Sequence, residues 1–391
     1  MTQDRTLQHR MAPRRGQGLT IAFVVTTLAA MRAAAQPAPP SSPDMMTLRA
    51  PFVTPAPPLP SAGGAMCRDS TPRSVGETCY RSLIQQLAGE DLPLDSLYRA
   101  AVRHRDEMLA QLAAPVRALF GDTMRVIDAL RVLRSDDRFV MHDPEEILAA
   151  YRAAVPRFRD GSTGLFKSYK DVPLTVVSVP QDQAANFAPA GYGMSPDSVA
   201  TLYVNAYQPG GIARMNVELG VAHEAYPGHH LQRIYNLQFG AAQPVNAQTM
   251  AFVEGWGIYA ERLADEAGLY ETPLSRCGYL VHLLDVFMAL QLDIGVHARG
   301  WTADQAADSM MIVAGRPRVQ AEQYARRHLS TAGQLASYAI GLASIVDARE
   351  VALKHGAHDV AAFHDVVLRM PMPTLPQLRA LAASGEMKQP G

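Results

Sequence analysis

Between Val221 and Gln232 the chain reads Val-Ala-His-Glu-Ala-Tyr-Pro-Gly-His-His-Leu-Gln, which places His223, Glu224, His229 and His230 within eight positions. Imidazoles ligate divalent metals, and a Glu directly after a ligating His can take a proton from water that the metal activates. Zinc-assisted hydrolysis is the chemistry this grouping suits. In the usual helical arrangement the second His follows the first by four positions, but Pro227 stands there. Proline cannot donate to the carbonyl of His223 and crowds it, while Gly228 admits dihedrals that other residues avoid. The spacing therefore predicts a helix that kinks or bulges between the histidines. At about 3.6 residues per turn an unbroken helix returns His230 to the face of His223, whereas a bulge brings His229 round. The residues alone leave both open.

A third ligand is expected from a neighbouring helix. Phe252, Trp256, Tyr259 and Leu263 form an apolar stripe, and Glu254 projects from another side between residues that include Gly255 and Gly257. A Glu 25 positions after His229 fits the zinc class that takes two His from one helix and a Glu from the next.

These residues need helices to hold them. Helical patterns run from Leu94 to Leu112 and from Met124 to Leu133. Asp143 is a predicted N-cap, with Pro144 in the first turn, for a helix over Ile147–Val155. Leu174–Val179 and Thr201–Asn205 are rich in β-branched and aromatic residues and read as strands. Helices resume at Met250–Glu266, Leu280–His297, Gln334–His355 and Val360–Met370, with Gly356 as a C-cap and Pro371 as a stop. The expected fold class is mainly α, with a small β-sheet beside the active-site helix.

The N-terminus reads as an export signal: Arg5, Arg10, Arg14 and Arg15 precede the apolar run Leu19–Met31, and Ala33–Ala35 offers a cleavage site. That run of 13 residues is short of the ~20 that span a bilayer, so no permanent membrane anchor is expected. Location is then periplasmic or secreted. Proline-rich residues 36–64 form a linker, and a single helical metallohydrolase domain is expected over 65–391, with N-terminal helices over 83–160 and a catalytic core over 171–391. Cys67 and Cys79 are expected to pair in the oxidising compartment, which leaves Cys277 as the odd, buried thiol.

The whole chain of 391 residues carries 36 basic and 37 acidic side chains. Residues 1–35 hold five of the former and one of the latter, so the remainder has 31 against 36 and a charge of −5. No basic excess points to nucleic acid. No glycine-rich phosphate loop or internal repeat is present, and the absence of any C-x-x-C pair argues against a cysteine zinc site.

At these residues the sequence resembles the bacterial family known as domain of unknown function 885. The resemblance rests on Tyr203-Val204-Asn205, His223-Glu224 with Pro227-Gly228-His229-His230-Leu231-Gln232, and Phe252-Val253-Glu254-Gly255-Trp256. It continues through Asp293-Ile294-Gly295-Val296-His297, Gly300-Trp301-Thr302, Gly333-Gln334, Ser337-Tyr338 with Ile340-Gly341, and Phe363-His364-Asp365, spanning about residues 83–391. The chain is shorter than the family pattern leads one to expect, lacking much of a helical N-terminal half. That family looks similar to gluzincin peptidases, whose Gly-His-x-Gln ending resembles Gly228-His229-His230-Leu231, with Gln232 displaced by one, and whose third-ligand motif resembles Glu254-Gly255-Trp256. The resemblance favours His229 over His230 and implies a helical, cleft-bearing, zinc-dependent hydrolase of peptides or amides. The chain departs from the family pattern in cations: none lies in Val286–Leu292, and Gln323, Ala332 and Ala339 stand where Arg, Pro and Lys are usual.

On this reading His223, His229 and Glu254 hold Zn2+, Glu224 is the general base, and Tyr338 with His297 supports the oxyanion, His297 being oriented by Asp293. Asn205 on a strand that pairs with extended substrate, His230 and Tyr324 are the expected substrate contacts. The expected partner is a peptide or amide substrate. The alternatives are a zinc-dependent amidase of a non-peptide metabolite and a catalytically degenerate binding protein that retains metal.

Overall fold

A computed structural model describes residues 74–385, apart from 168, 196–198 and 240–244. The expected signal peptide, the proline linker and Cys67 lie outside the described residues. Helices dominate: α1 (Glu77–Ala88), α2 (Leu94–Phe120), α3 (Val126–Ser135) and α4 (Pro144–Ser162) form the N-terminal group. They are followed by α5 (Asn216–Glu224), α6 (His229–Phe239), α7 (Ala247–Glu266), α8 (Pro273–Ala298), α9 (Ala303–Ala314), α10 (Arg318–Ser330), α11 (Ala336–Lys354), α12 (Val360–Arg369) and α13 (Leu375–Ser384). Strands β1 (Val140–Met141), β2 (Leu174–Ser178), β3 (Ala190–Met194), β4 (Ala200–Val204) and β5 (Ile212–Ala213) are short. The expected mainly α class with a small sheet holds.

Local chemistry explains most boundaries. The Asp143 side chain accepts from the Glu145 amide at 3.1 Å and Pro144 opens α4, as its spacing predicts. Capping boxes start α7 (Asn246 with Thr249), α8 (Thr272 with Ser275), α9 (Thr302 with Gln305) and α13 (Thr374 with Gln377). Gly315 and Gly385 close α9 and α13 in the left-handed conformation.

The centre of the core is α8, apolar enough in composition to cross a membrane but 94% buried in its most apolar window, which makes it the core helix of this fold. Its long partner is α2, whose Ala101, His104, Met108, Leu112 and Val116 recur at helical spacing and are buried. α1 packs on α7 and α8, so the N-terminal helices share the core of the rest. Cys79 on α1 is disulfide-bonded, while Cys277 on α8 is a free buried thiol whose pKa burial pushes up to about 12.

In the three-stranded sheet the order is β2-β4-β3, with β2 parallel and β3 antiparallel to β4. Ala200, Leu202 and Val204 of β4 point into the core, the alternation of a half-buried strand. β4 is therefore central, and the expectation that it pairs with substrate is corrected: both its edges are already bonded. β3 has an unpaired edge among the described strands and packs against α5 and α6.

Candidate metal centre

The kink expected between the histidines is in fact a complete break. α5 ends at Glu224, the Tyr226-Pro227 peptide is cis, and α6 starts at His229. A Cβ on Gly228 would lie 1.8 Å from the His223 carbonyl oxygen, so only glycine lets the chain fold back so closely on the end of α5. Trp256 of α7 holds the turn from outside, its indole N–H donating to the Pro227 carbonyl at 3.2 Å. A Cβ on Gly257 would sit 2.4 Å from Cε1 of His223. Gly257 thus clears the space that the first imidazole occupies against α7.

The result is a convergent donor set. Ligand atoms of His223, His229 and Glu254 all lie within 4.8 Å of one another. Nε2 of His223 is 3.9 Å and Nε2 of His229 is 4.0 Å from the same Glu254 oxygen, with each side chain 12–14% exposed. Zinc bonded at about 2.1 Å to nitrogen and oxygen places tetrahedral donors roughly 3.4 Å apart, so modest side-chain rotation suffices to close the set. The histidine that joins this donor set is His229 and not His230, because the break after α5 ends the straight-helix register that favoured His230.

The far nitrogens fix which atoms face inward. Nδ1 of His223 donates to Glu261 at 2.7 Å, and Nδ1 of His229 donates to the Gln232 side-chain oxygen at 3.2 Å. In its neutral form each imidazole therefore directs an Nε2 lone pair at the centre, the arrangement found in metal-binding histidines held through Nδ1. Glu261 is fully buried. Burial opposes its charge, but His282 and His223 outweigh it and hold its pKa below the ordinary carboxylate value. Burial likewise opposes an imidazolium at His223, yet Glu261, Glu224 and Glu254 raise its pKa to about 9, so near neutral pH a proton occupies Nε2 unless another cation displaces it.

Tyr338, in the first turn of α11, reaches the same place. Burial, the charge of Glu254 and a hydrogen bond to it, with a further contribution from Glu224, hold its pKa well above the ordinary value. The helices are brought together by glycine: a Cβ on Gly255 of α7 would lie 2.4 Å from the backbone of Gly341 on α11. Glu224 follows His223 at the end of α5 and acts electrostatically on His223, Tyr338 and Tyr151.

Four expected site residues belong elsewhere. His297 is fully engaged: Nδ1 accepts from the Val75 amide at 3.3 Å and Nε2 donates to the His328 carbonyl at 2.9 Å. No ring nitrogen remains for an oxyanion. Asp293 accepts instead from Tyr80, His328 and the Gly333 amide. His230 is buried, Nε2 donating to the Val172 carbonyl and the Tyr226 hydroxyl, while Tyr192 donates to Nδ1. Desolvation lowers its pKa to about 4, and it is a structural pin, not a substrate contact. Asn205 is buried, its amide donating to the carbonyls of Ala184 and Phe187. Tyr324 lies under the Arg316 guanidinium and against His328; its ring is occupied by packing.

Sequence reasoning missed Glu261, His282 and the role of Gln232. One signal was available: Glu254, Gly257 and Glu261 are spaced by three and four residues, so they lie along one face of α7.

A family described as bacterial protein of unknown function, DUF885, matches residues 25–381. Two solved structures, each described as a "putative lipoprotein", share the fold. The one from Colwellia psychrerythraea has a TM-score of 0.68 at 23% identity and covers 78% of this chain. The one from Shewanella oneidensis, of unknown function, has a TM-score of 0.63 at 25% identity and covers 79%. The chain spans only 55% and 60% of the lengths of those two proteins. No curated protein matches the sequence. With the match running through nearly all described residues, the chain belongs to the DUF885 family of bacterial proteins.

Proposed function

We propose that the protein is an exported zinc-dependent hydrolase that cleaves peptide bonds. The observation that carries this reading is the convergence of two Nε2 lone pairs and one Glu254 oxygen, each imidazole being held from behind through Nδ1. His223, His229 and Glu254 would hold the ion. Zinc, when bound, supplies a Lewis acid that polarises a carbonyl and lowers the pKa of water.

The chain's own groups divide the remaining work. Glu224 receives the proton of the attacking water and returns it to the leaving amine, a shuttle that a carboxylate beside the first His is placed to perform. The Tyr338 phenol stays protonated because burial and Glu254 disfavour its ionisation. Its proton, which points at Glu254 in the absence of substrate, would turn toward a developing oxyanion once Glu254 is committed to the ion. The β3 edge that has no partner among the described strands, on a strand packed against α5 and α6, favours an extended peptide over a compact metabolite, because a strand edge binds backbone amides in sequence. Export is supported by the basic and apolar pattern of residues 1–35 and by the description of each structural relative as a "putative lipoprotein".

Metal analysis with digestion of a peptide library tests the reading. It expects one zinc per chain and cleavage that a chelator stops and added zinc restores. A zinc-loaded protein that leaves every peptide intact but hydrolyses metabolite amides would overturn the peptide assignment.

A further inference from the structure

We infer that His282 is a positioning residue of this centre, acting on His223 through Glu261; the inference rests on the metal reading above. Glu261 has two oxygens and two imidazole partners. Oε1 accepts from Nδ1 of His223 at 2.7 Å and Oε2 accepts from Nδ1 of His282 at 2.8 Å. The rings of His223 and His282 lie 6.2 Å apart at 80°, so their coupling runs through the carboxylate between them.

The geometry explains why two partners are needed. A carboxylate held at one oxygen can turn about its terminal bond, and a rotated Glu261 would no longer fix the ring plane or the tautomer of His223. His282 anchors the second oxygen from α8, whereas His223 anchors the first from α5. The carboxylate on α7 is thus clamped by the two helices packed beside it. Burying a charge at a crossing of three helices stabilises little by itself, since apolar residues of similar volume would serve at least as well. Its value lies in orienting Nε2 of His223 toward Glu254 and the ion. The His282 side chain is 32% exposed while Glu261 is fully buried, so the clamp has its outer end at the protein surface.

Co2+ titration of the full chain, read by calorimetry and by visible absorption of the bound ion, tests this. His282→Phe keeps a ring but removes the donor; His282→Asn keeps an amide N–H near the Nδ1 position; His282→Ala removes the donor without bulk. His282→Phe and His282→Ala should each weaken Co2+ binding by about tenfold and alter the visible band, while His282→Asn stays within about threefold of wild type. Wild-type affinity and spectrum in both donor-free variants would overturn the inference and leave the metal reading intact. An asparagine variant as weak as the alanine one would also overturn it. Failure of the wild-type chain to bind Co2+ or Zn2+ would sink the metal reading and this inference with it.

Discussion

Glu224 and Tyr338 carry the proposed chemistry as single residues, and each can be removed with little change of shape. Glu224→Gln should lower turnover by at least ~10²-fold while zinc is retained, since only proton transfer is lost. Near-normal turnover of the zinc-loaded variant would reject the assignment. For Tyr338→Phe, single-turnover rates at saturating zinc should fall by about 10²-fold, because one oxyanion donor is removed. Equal single-turnover rates would leave Tyr338 as a packing residue. At this scale the convergent donor set was legible because its motifs are local: His223 and His229 sit within one short stretch, and Glu254 lies in a helix with its own pattern. The residues that orient them were not, since Glu261 and His282 meet His223 only after three helices pack. The reverse error has the same origin. His230 and His297 are polar residues in motif-like surroundings, and a buried polar group with satisfied partners looks, in sequence, like one that awaits a ligand.

Long helices with regular apolar spacing were readable: α2, α4, α7, α8, α11 and α12 appear close to where the pattern puts them. α10 was not, because only Ala321, Ala325 and His328 along it are buried, a stripe too weak to give a period. β3 reads Ala-Gly-Tyr-Gly-Met, and two glycines among five residues mask any strand signal. β1 and β5 pair over two residues each, which no periodicity can reveal. The break between α5 and α6 was foreseen only as a distortion. Proline and glycine mark where regular structure fails, and the tertiary contact with Trp256 decides how far. Helix approach gives a sharper prediction. A Cβ on Gly341 of α11 would lie 1.8 Å from the Ala251 carbonyl oxygen of α7. Gly341→Ala should therefore force the helices apart, cost about 3 kcal/mol or more in denaturant unfolding, and weaken the Tyr338–Glu254 contact. A variant as stable as wild type would show that α7 and α11 do not pack this closely.

The molecule as a whole joins its C-terminal helices to the centre through a buried neutral histidine. His364 of α12 donates from Nδ1 to the Leu165 carbonyl at 2.7 Å and accepts at Nε2 from the Tyr259 hydroxyl at 2.9 Å. Its ring lies against Phe166 and Trp256. Desolvation lowers its pKa to about 3. A group whose folded pKa lies below its unfolded value, about 6.5 for His, binds fewer protons in the folded state. Its contribution is then complete above pH ~6.5 and is lost as pH falls toward 3, amounting to about 3 kcal/mol by pH 4. His364→Gln should thus be less stable at pH 7 yet decline less steeply between pH 6.5 and 4; parallel pH profiles from urea melts would contradict this. The central claim, that these helices assemble one metal site, is tested most directly by calorimetric zinc titration of the wild-type chain and His229→Ala. One tight Zn2+ per wild-type chain, lost in the variant, is the predicted result. No zinc binding by the wild type, or stoichiometric zinc retained by His229→Ala, would contradict it.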